Sequence, residues 1–221
     1  MTETISTALK NQIETVMNNQ IDPILNEKST MDEWFHLLVS EKSIHRLSKR
    51  LFSGQPSYLI ENLCSDTKMK ESKDNHTLLK AISYLLSVEV QGNFIIDVFI
   101  LMMAGKGYDF HIEPDNSKKF VRHATSLDDF ESASITLASK LDFLKSCGLP
   151  CFEKYIDRKL RNKIAHMNFV INEEGKFFMF DNNKKKTVMV EQKLGMLQYF
   201  TNQIYKRLND KIEEHNKFNV K

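Results

Sequence analysis

The chain has 221 residues, 41% hydrophobic and 27% charged, which is enough apolar content for a core and excludes a disordered chain. Glycine (7) and proline (4) are scarce, which argues against folds built on glycine-rich nucleotide loops and against turn-rich β-sandwiches. Thirty-one basic residues against 29 acidic leave a net charge of +2, so the chain is no bulk electrostatic binder of nucleic acid, although a local basic face remains open to it.

The first residues, MTETISTALKNQIETV, lack a basic stretch followed by an apolar one, so no signal peptide is expected. Ile5, Leu9, Ile13, Val16 and Met17 recur at helical spacing, as do Trp34, Leu37, Leu38, Ile44, Leu47 and Leu51. Asp22-Pro23 and Gly54-Gln55-Pro56 punctuate these pieces. The charged run from Lys68 to Asn75 has no apolar period and is the expected boundary. It divides an N-terminal helical extension, residues 1–75, from the main unit, residues 76–221.

From His76 to Ala104 the pattern is one long helix, nearly apolar all round after Val88, which predicts burial among neighbouring helices. Its most apolar part, Phe94 to Ala104, is interrupted by Asp97 and falls short of the ~20 residues that span a bilayer. Phe94, Phe99, Met102 and Met103 are expected as core packing. Within the same helix Glu89, Asn93 and Asp97 follow at i, i+4 and i+8, a single polar stripe that must meet water or basic groups. Gly105, Gly107 and Glu113-Pro114 end the helix and open a polar loop, in which His111 and His123 stand without ligand partners. Ser126-Leu127-Asp128-Asp129 reads as a helix N-terminus, with the helix running to Ser146.

Pro150 opens the next helix, expected from Phe152 to about Val170. Lys176–Asp181 and Lys186–Val190 read as two strands of a hairpin, with Lys184-Lys185-Lys186 a solvated tip. A last helix from Glu191 to about Asn216 carries Leu194, Leu197, Ile204, Leu208 and Ile212. The expected class is all-α: an up-and-down four-helix bundle core, a short β-hairpin before the last helix, and the N-terminal helical extension. Three cysteines, Cys64, Cys147 and Cys151, make no disulfide framework. The C-x3-C pair at Cys147 and Cys151 has no second pair at ligand spacing, so no metal and no cofactor is expected.

The informative stretch is Arg158 to His166. On a helical wheel Ile156, Leu160, Ile164 and Met167 fall in one arc, facing the core. Arg158, Asn162 and Ala165 lie opposite, flanked by Arg161 and His166 about 140° apart at ~3.6 residues per turn. Asn162 and His166, at i and i+4, are spaced to touch. Histidine exchanges a proton near neutral pH, and arginine offers a fixed fork to a phosphate. Lys159 and Lys163 flank them, so a phosphodiester site is one reading and a solvated basic helix face is the other.

Arg161-Asn162-Lys163-Ile164-Ala165-His166 resembles the R-N-x-x-x-H motif of the higher eukaryotes and prokaryotes nucleotide-binding (HEPN) superfamily. Its setting is similar too, on the third helix of a four-helix segment, and the resemblance covers roughly residues 76–217. It implies a metal-independent endoribonuclease of the toxin or phage-defence type, cytoplasmic, acting as a homodimer on RNA. Arg161 and His166 would be catalytic, with Asn162 orienting the histidine. Glu89 or Asp97 would face Arg161, and Arg158, Lys159 and Lys163 would bind RNA. An inhibitor or antitoxin protein is the further partner implied. The alternative is a catalytically silent module of the same family that binds RNA, a nucleotide or a protein. One departure stands out: where toxins modified by a nucleotidyltransferase antitoxin continue H-x-Tyr, this chain has Asn168.

Overall fold

A computed structural model describes residues 5–27, 73–106, 135–181 and 184–219. The expectations for Trp34 to Leu51, Gly54–Pro56, Cys64, His111, His123 and the Ser126 helix start lie outside these residues. The described chain is mostly helical, with a small three-stranded antiparallel sheet before the last helix.

Residues Thr7–Val16 form the first helix, capped by Ser6, whose hydroxyl accepts the Leu9 N–H at 3.4 Å. A π turn, Met17–Ile21, carries it into the short helix Asp22–Leu25. Ile13, Met17, Ile21, Ile24 and Leu25 are buried in the same apolar cluster as the rest of the molecule. Polar ties reinforce this docking. Arg207 of the closing helix, Val190–Asn219, reaches Glu14 at 3.0 Å and Asp22 at 2.8 Å, and Tyr199 donates to Glu14 at 2.9 Å.

The long helix runs Lys73–Ser87, passes through a π turn at Val88–Gly92, and continues as Asn93–Gly105. The charged run expected as a linker therefore already turns helical at Lys73. In the π turn the Asn93 N–H reaches back five residues to the Val88 carbonyl, which shifts the helical phase of everything after it. By length and composition this helix is apolar enough to cross a membrane, and 67% of its most apolar window is buried inside the fold. Phe99, Phe152 and Phe200 form the centre of the core, with ring centroids 5.1 and 5.6 Å apart along the series. Phe94, Met102 and Met103 join them in the interior, as expected.

Of the helix expected from Ser126 to Ser146, the described residues show a helix that begins at Leu137 and ends at Ser146. Thr136 lies in extended backbone and its hydroxyl accepts the Ser139 N–H at 3.2 Å, which makes it the N-cap of this helix. Lys140 of this helix and Asp97 of the long helix form a buried ion pair at 2.6 Å.

The helix expected from Phe152 to Val170 is three elements. Cys151–Tyr155 is one short turn, Arg158–Ala165 is the motif helix, and Phe169–Ile171 is strand β1. Asp157 causes the first break, since it favours the N-cap over the helix interior. The second break follows from strand pairing: β1 aligns antiparallel with β2, Phe177–Asp181, setting Phe169 opposite Met179 and Ile171 opposite Phe177. β3, Lys184–Val188, completes the order β1-β2-β3. Lys184, Lys185 and Lys186 thus belong to a strand paired with β2. The turn between β1 and β2 docks on the start of the long helix through Thr77, whose hydroxyl donates to the Gly175 carbonyl at 2.7 Å. Gly175 has φ +75°, and a Cβ there would stand 2.8 Å from the Lys73 carbonyl oxygen.

Candidate functional site

The motif helix is fixed at its start by one residue with several partners. Asp157 caps it, accepting the Leu160 N–H at 3.0 Å, while its other carboxylate oxygen meets Lys193 of the closing helix at 3.0 Å. Burial works to raise this carboxyl's pKa. The Leu160 N–H, the Lys193 ammonium and the Lys159 N–H outweigh that effect and hold it below the ordinary value. The Asp157 N–H in turn donates to the Tyr84 hydroxyl at 2.8 Å. Tyr84 is buried in the long helix, and burial first, then the Asp157 charge, keeps its phenol protonated far above the usual range.

Leu160 and Ile164 point into the core, and so does Ile156 just before the helix. Ile156 packs against the π turn, where a Cβ on Gly92 would lie 3.4 Å from its Cδ1. Met167, expected on the same apolar arc, is instead 72% exposed. The wheel fails there because the helix has already ended. His166 is the C-cap, with φ −95° and ψ 11°, and Met167 adopts φ +53°. The Met167 N–H donates to the Ile164 carbonyl at 3.0 Å and the Asn168 N–H to the Lys163 carbonyl at 2.8 Å, the paired bonds of a Schellman motif. The helix ending at Ser146 closes with the same two bonds but puts Gly148 at the left-handed position. Holding methionine there costs about 1–2 kcal/mol. His166 therefore stands next to a strained backbone position, and the wheel-derived 140° splay does not describe its placement.

On the outer side Arg161 is partly buried, and its Nε donates to Glu89 Oε1 in an ion pair with the π turn. Its Nη1 donates to Asn162 Oδ1 at 2.9 Å. Asn93 Nδ2 donates to Glu89 Oε2 at 3.3 Å, so Asn93, Glu89, Arg161 and Asn162 form one connected chain of polar contacts. The expected pairing of Asn162 with His166 is replaced: among the described residues no hydrogen bond joins the Asn162 side chain to the imidazole. His166 and Ala165 are exposed.

The expected polar stripe divides. Glu89 and Asn93 serve Arg161, whereas Asp97 turns inward to Lys140. Arg158 lies 3.8 Å from Asp142, and Lys159 is exposed. Cys151 is buried and its thiol is pushed up to about 12 by that burial, which makes it a poor metal ligand. Among the described residues no group of His, Cys, Asp or Glu could hold a metal ion.

Tyr84, Asp157 and Lys193 position the motif helix and were not singled out from the sequence. An aspartate immediately before a basic amphipathic turn is a cap signal that could have found the first of them. Tyr84 and Lys193 are distant in sequence and leave no such trace. No family model, curated protein or solved structure matches the chain.

Proposed function

We propose that the chain is a metal-independent endoribonuclease of the HEPN toxin or defence type, cytoplasmic, with its helices arranged as a four-helix bundle core. In this reading two copies bring their motifs to one cleft. His166 takes the proton of an RNA 2′-hydroxyl, or returns one to the leaving 5′-oxygen. The 2′-oxygen to phosphorus bond forms as the bond to the 5′-oxygen breaks, leaving a 2′,3′-cyclic phosphate and a 5′-hydroxyl. Arg161 stabilises the charge on the pentacoordinate phosphorus, and Arg158, Lys159 and Lys163 hold the RNA backbone.

The observation that carries this reading is the oriented Arg161, held by Glu89 and Asn162, with an exposed His166 capping the end of the same short helix. A second reading, a silent RNA-binding module, is favoured by one aspect of that same contact, since Nε and Nη1 of Arg161 are already occupied within the chain.

One experiment separates them. Purified protein is incubated with single-stranded and transfer RNA in the presence of chelator, beside His166→Ala and Arg161→Ala. The nuclease reading expects chelator-resistant cleavage that falls at least a hundredfold, on the order of 10² or more, in both variants, with DNA untouched. RNA left intact by wild type, but bound, establishes the silent module. Cleavage abolished by chelator overturns the mechanism.

A further inference from the structure

The three-stranded sheet has two faces of different character. Phe169, Ile171, Phe177, Met179 and Val188 alternate onto the inner face and pack with the core. On the outer face the register aligns Val170 with Phe178 and Thr187, and Phe180 with Lys185. A solvated antiparallel face is ordinarily polar. This one is not: Val170 is 45% exposed, Phe178 and Phe180 are only half-buried, and Met189, next in the alternation after Thr187, is 69% exposed. Lys185 Nζ lies 3.8 Å from the centre of the Phe178 ring. None of the outward positions carries a carboxylate, while the exposed Lys184 and Lys186 of the edge strand, opposite Asp181 and Met179, alternate onto the other face.

We infer that this outer sheet face is a stacking platform for a single-stranded segment of the RNA, with bases laid on Phe178 and Phe180 and a phosphate met by Lys185 of β3. The proposal rests on the ribonuclease reading and adds where the substrate lies. Two rings at i and i+2 on one strand stand about 7 Å apart, and aromatic rings with interleaved cations are how single-stranded nucleic acid is held without sequence preference. Lysine on an edge strand also guards against strand addition. That accounts for Lys184 and Lys186, and it gives no reason for two phenylalanines and a valine on the solvent side. A second copy of the chain fits less well, because protein interface cores are depleted in lysine. The platform also adjoins the motif. His166 and Val170 are four residues apart, within about 14 Å by chain length alone, and Phe178 is directly opposite Val170.

The test is fluorescence anisotropy with a labelled single-stranded oligoribonucleotide carrying 2′-O-methyl sugars, which has no attacking hydroxyl and reports binding apart from cleavage. Phe178→Ser and Phe180→Ser are expected to weaken binding about tenfold or more each, and Phe178→Tyr to retain it. Thr187→Asp removes no packing and brings a carboxylate to the phosphates, so it too should weaken binding. Lys185→Ala should reduce the log–log salt slope by about 0.7. Wild-type affinity in both serine variants and in Thr187→Asp overturns the platform. So does a loss of affinity that accompanies conversion of a dimer to a monomer on size-exclusion chromatography, which would give the face to a second copy. The two readings fail separately: cleavage of unmodified RNA with unaltered binding in these variants sinks only the platform, whereas Phe178-dependent binding without any cleavage sinks only the nuclease.

Discussion

Asp157 joins the motif helix to two other helices at a single carboxylate. One oxygen caps the helix start and the other meets Lys193, while the backbone N–H of the same residue holds the Tyr84 hydroxyl. Because the folded pKa is depressed, this stabilisation is fully present above the unfolded value, about 3.9, and is lost as pH falls through the folded value below it. Asp157→Asn keeps a capping oxygen and loses the charge. Urea unfolding should show the variant about 1 kcal/mol less stable at pH 7, with the gap to wild type closing as pH falls through the depressed folded value. A gap of constant size from pH 7 to the acid limb would remove the ionised carboxylate from this role. Arg161 and His166 were both legible in the sequence as polar groups at a set spacing, although only His166 is exposed. Their surroundings were only partly so: the partner of Arg161 was anticipated as Glu89 or Asp97, and the structure selects Glu89.

The helix termini were the hardest elements to read, and the reason is local competition. Residues 152–170 keep a helical apolar period through Ile156, Leu160 and Ile164, so periodicity alone runs past Asp157 and past His166. Capping at Asp157 and strand pairing of Phe169–Ile171 interrupt what the period would continue. The long helix shows the complementary case, in which the element was plain from its apolar content and the π turn within it was not. A π turn depends on how neighbours pack, and nothing in Val88-Glu89-Val90-Gln91-Gly92 spells it out. Between helices, the buried pair of Lys140 and Asp97 binds the second half of the long helix to Leu137–Ser146. Lys140→Met should lower stability by about 3 kcal/mol or more, read from urea unfolding, because it takes the cation away from a buried carboxylate. Adding Asp97→Leu should recover most of that loss. Equal destabilisation in the single and double variants would mean that packing, and not charge, sets the cost.

At the scale of the molecule, the described N-terminal residues share one core with the other described helices. Five apolar side chains from Ile13 to Leu25 enter the common cluster, and Arg207 fastens the same segment by bridging Glu14 and Asp22. Arg207→Ala leaves those two carboxylates facing the gap without their shared cation. Hydrogen exchange in residues 5–27 should accelerate about tenfold or more, equivalent to ~1–3 kcal/mol of local opening, while the amides of the motif helix keep their protection. Uniform acceleration across the chain would show instead that this contact supports global stability. The apolar residues of the segment were legible as helical. Their partner was not, since the tie from Glu14 to Arg207 spans most of the chain.

The π turn at Val88–Gly92 sets the long helix in two phases. Ahead of it Tyr84 is aimed at the start of the motif helix, within it Glu89 is aimed at Arg161, and beyond it Asp97 is aimed away, at Lys140. A uniform α-helix would carry one orientation from end to end, at ~3.6 residues per turn, and any residue gained or lost would rotate every side chain downstream alike. Here the widened turn lies between a half that contacts the motif helix through Tyr84 and a half whose Asp97 faces Lys140. A one-residue insertion or deletion inside it is therefore the smallest sequence change that could re-aim Glu89 relative to Asp97, which makes these five residues the place where such a chain can vary its site geometry while leaving its interior composition untouched.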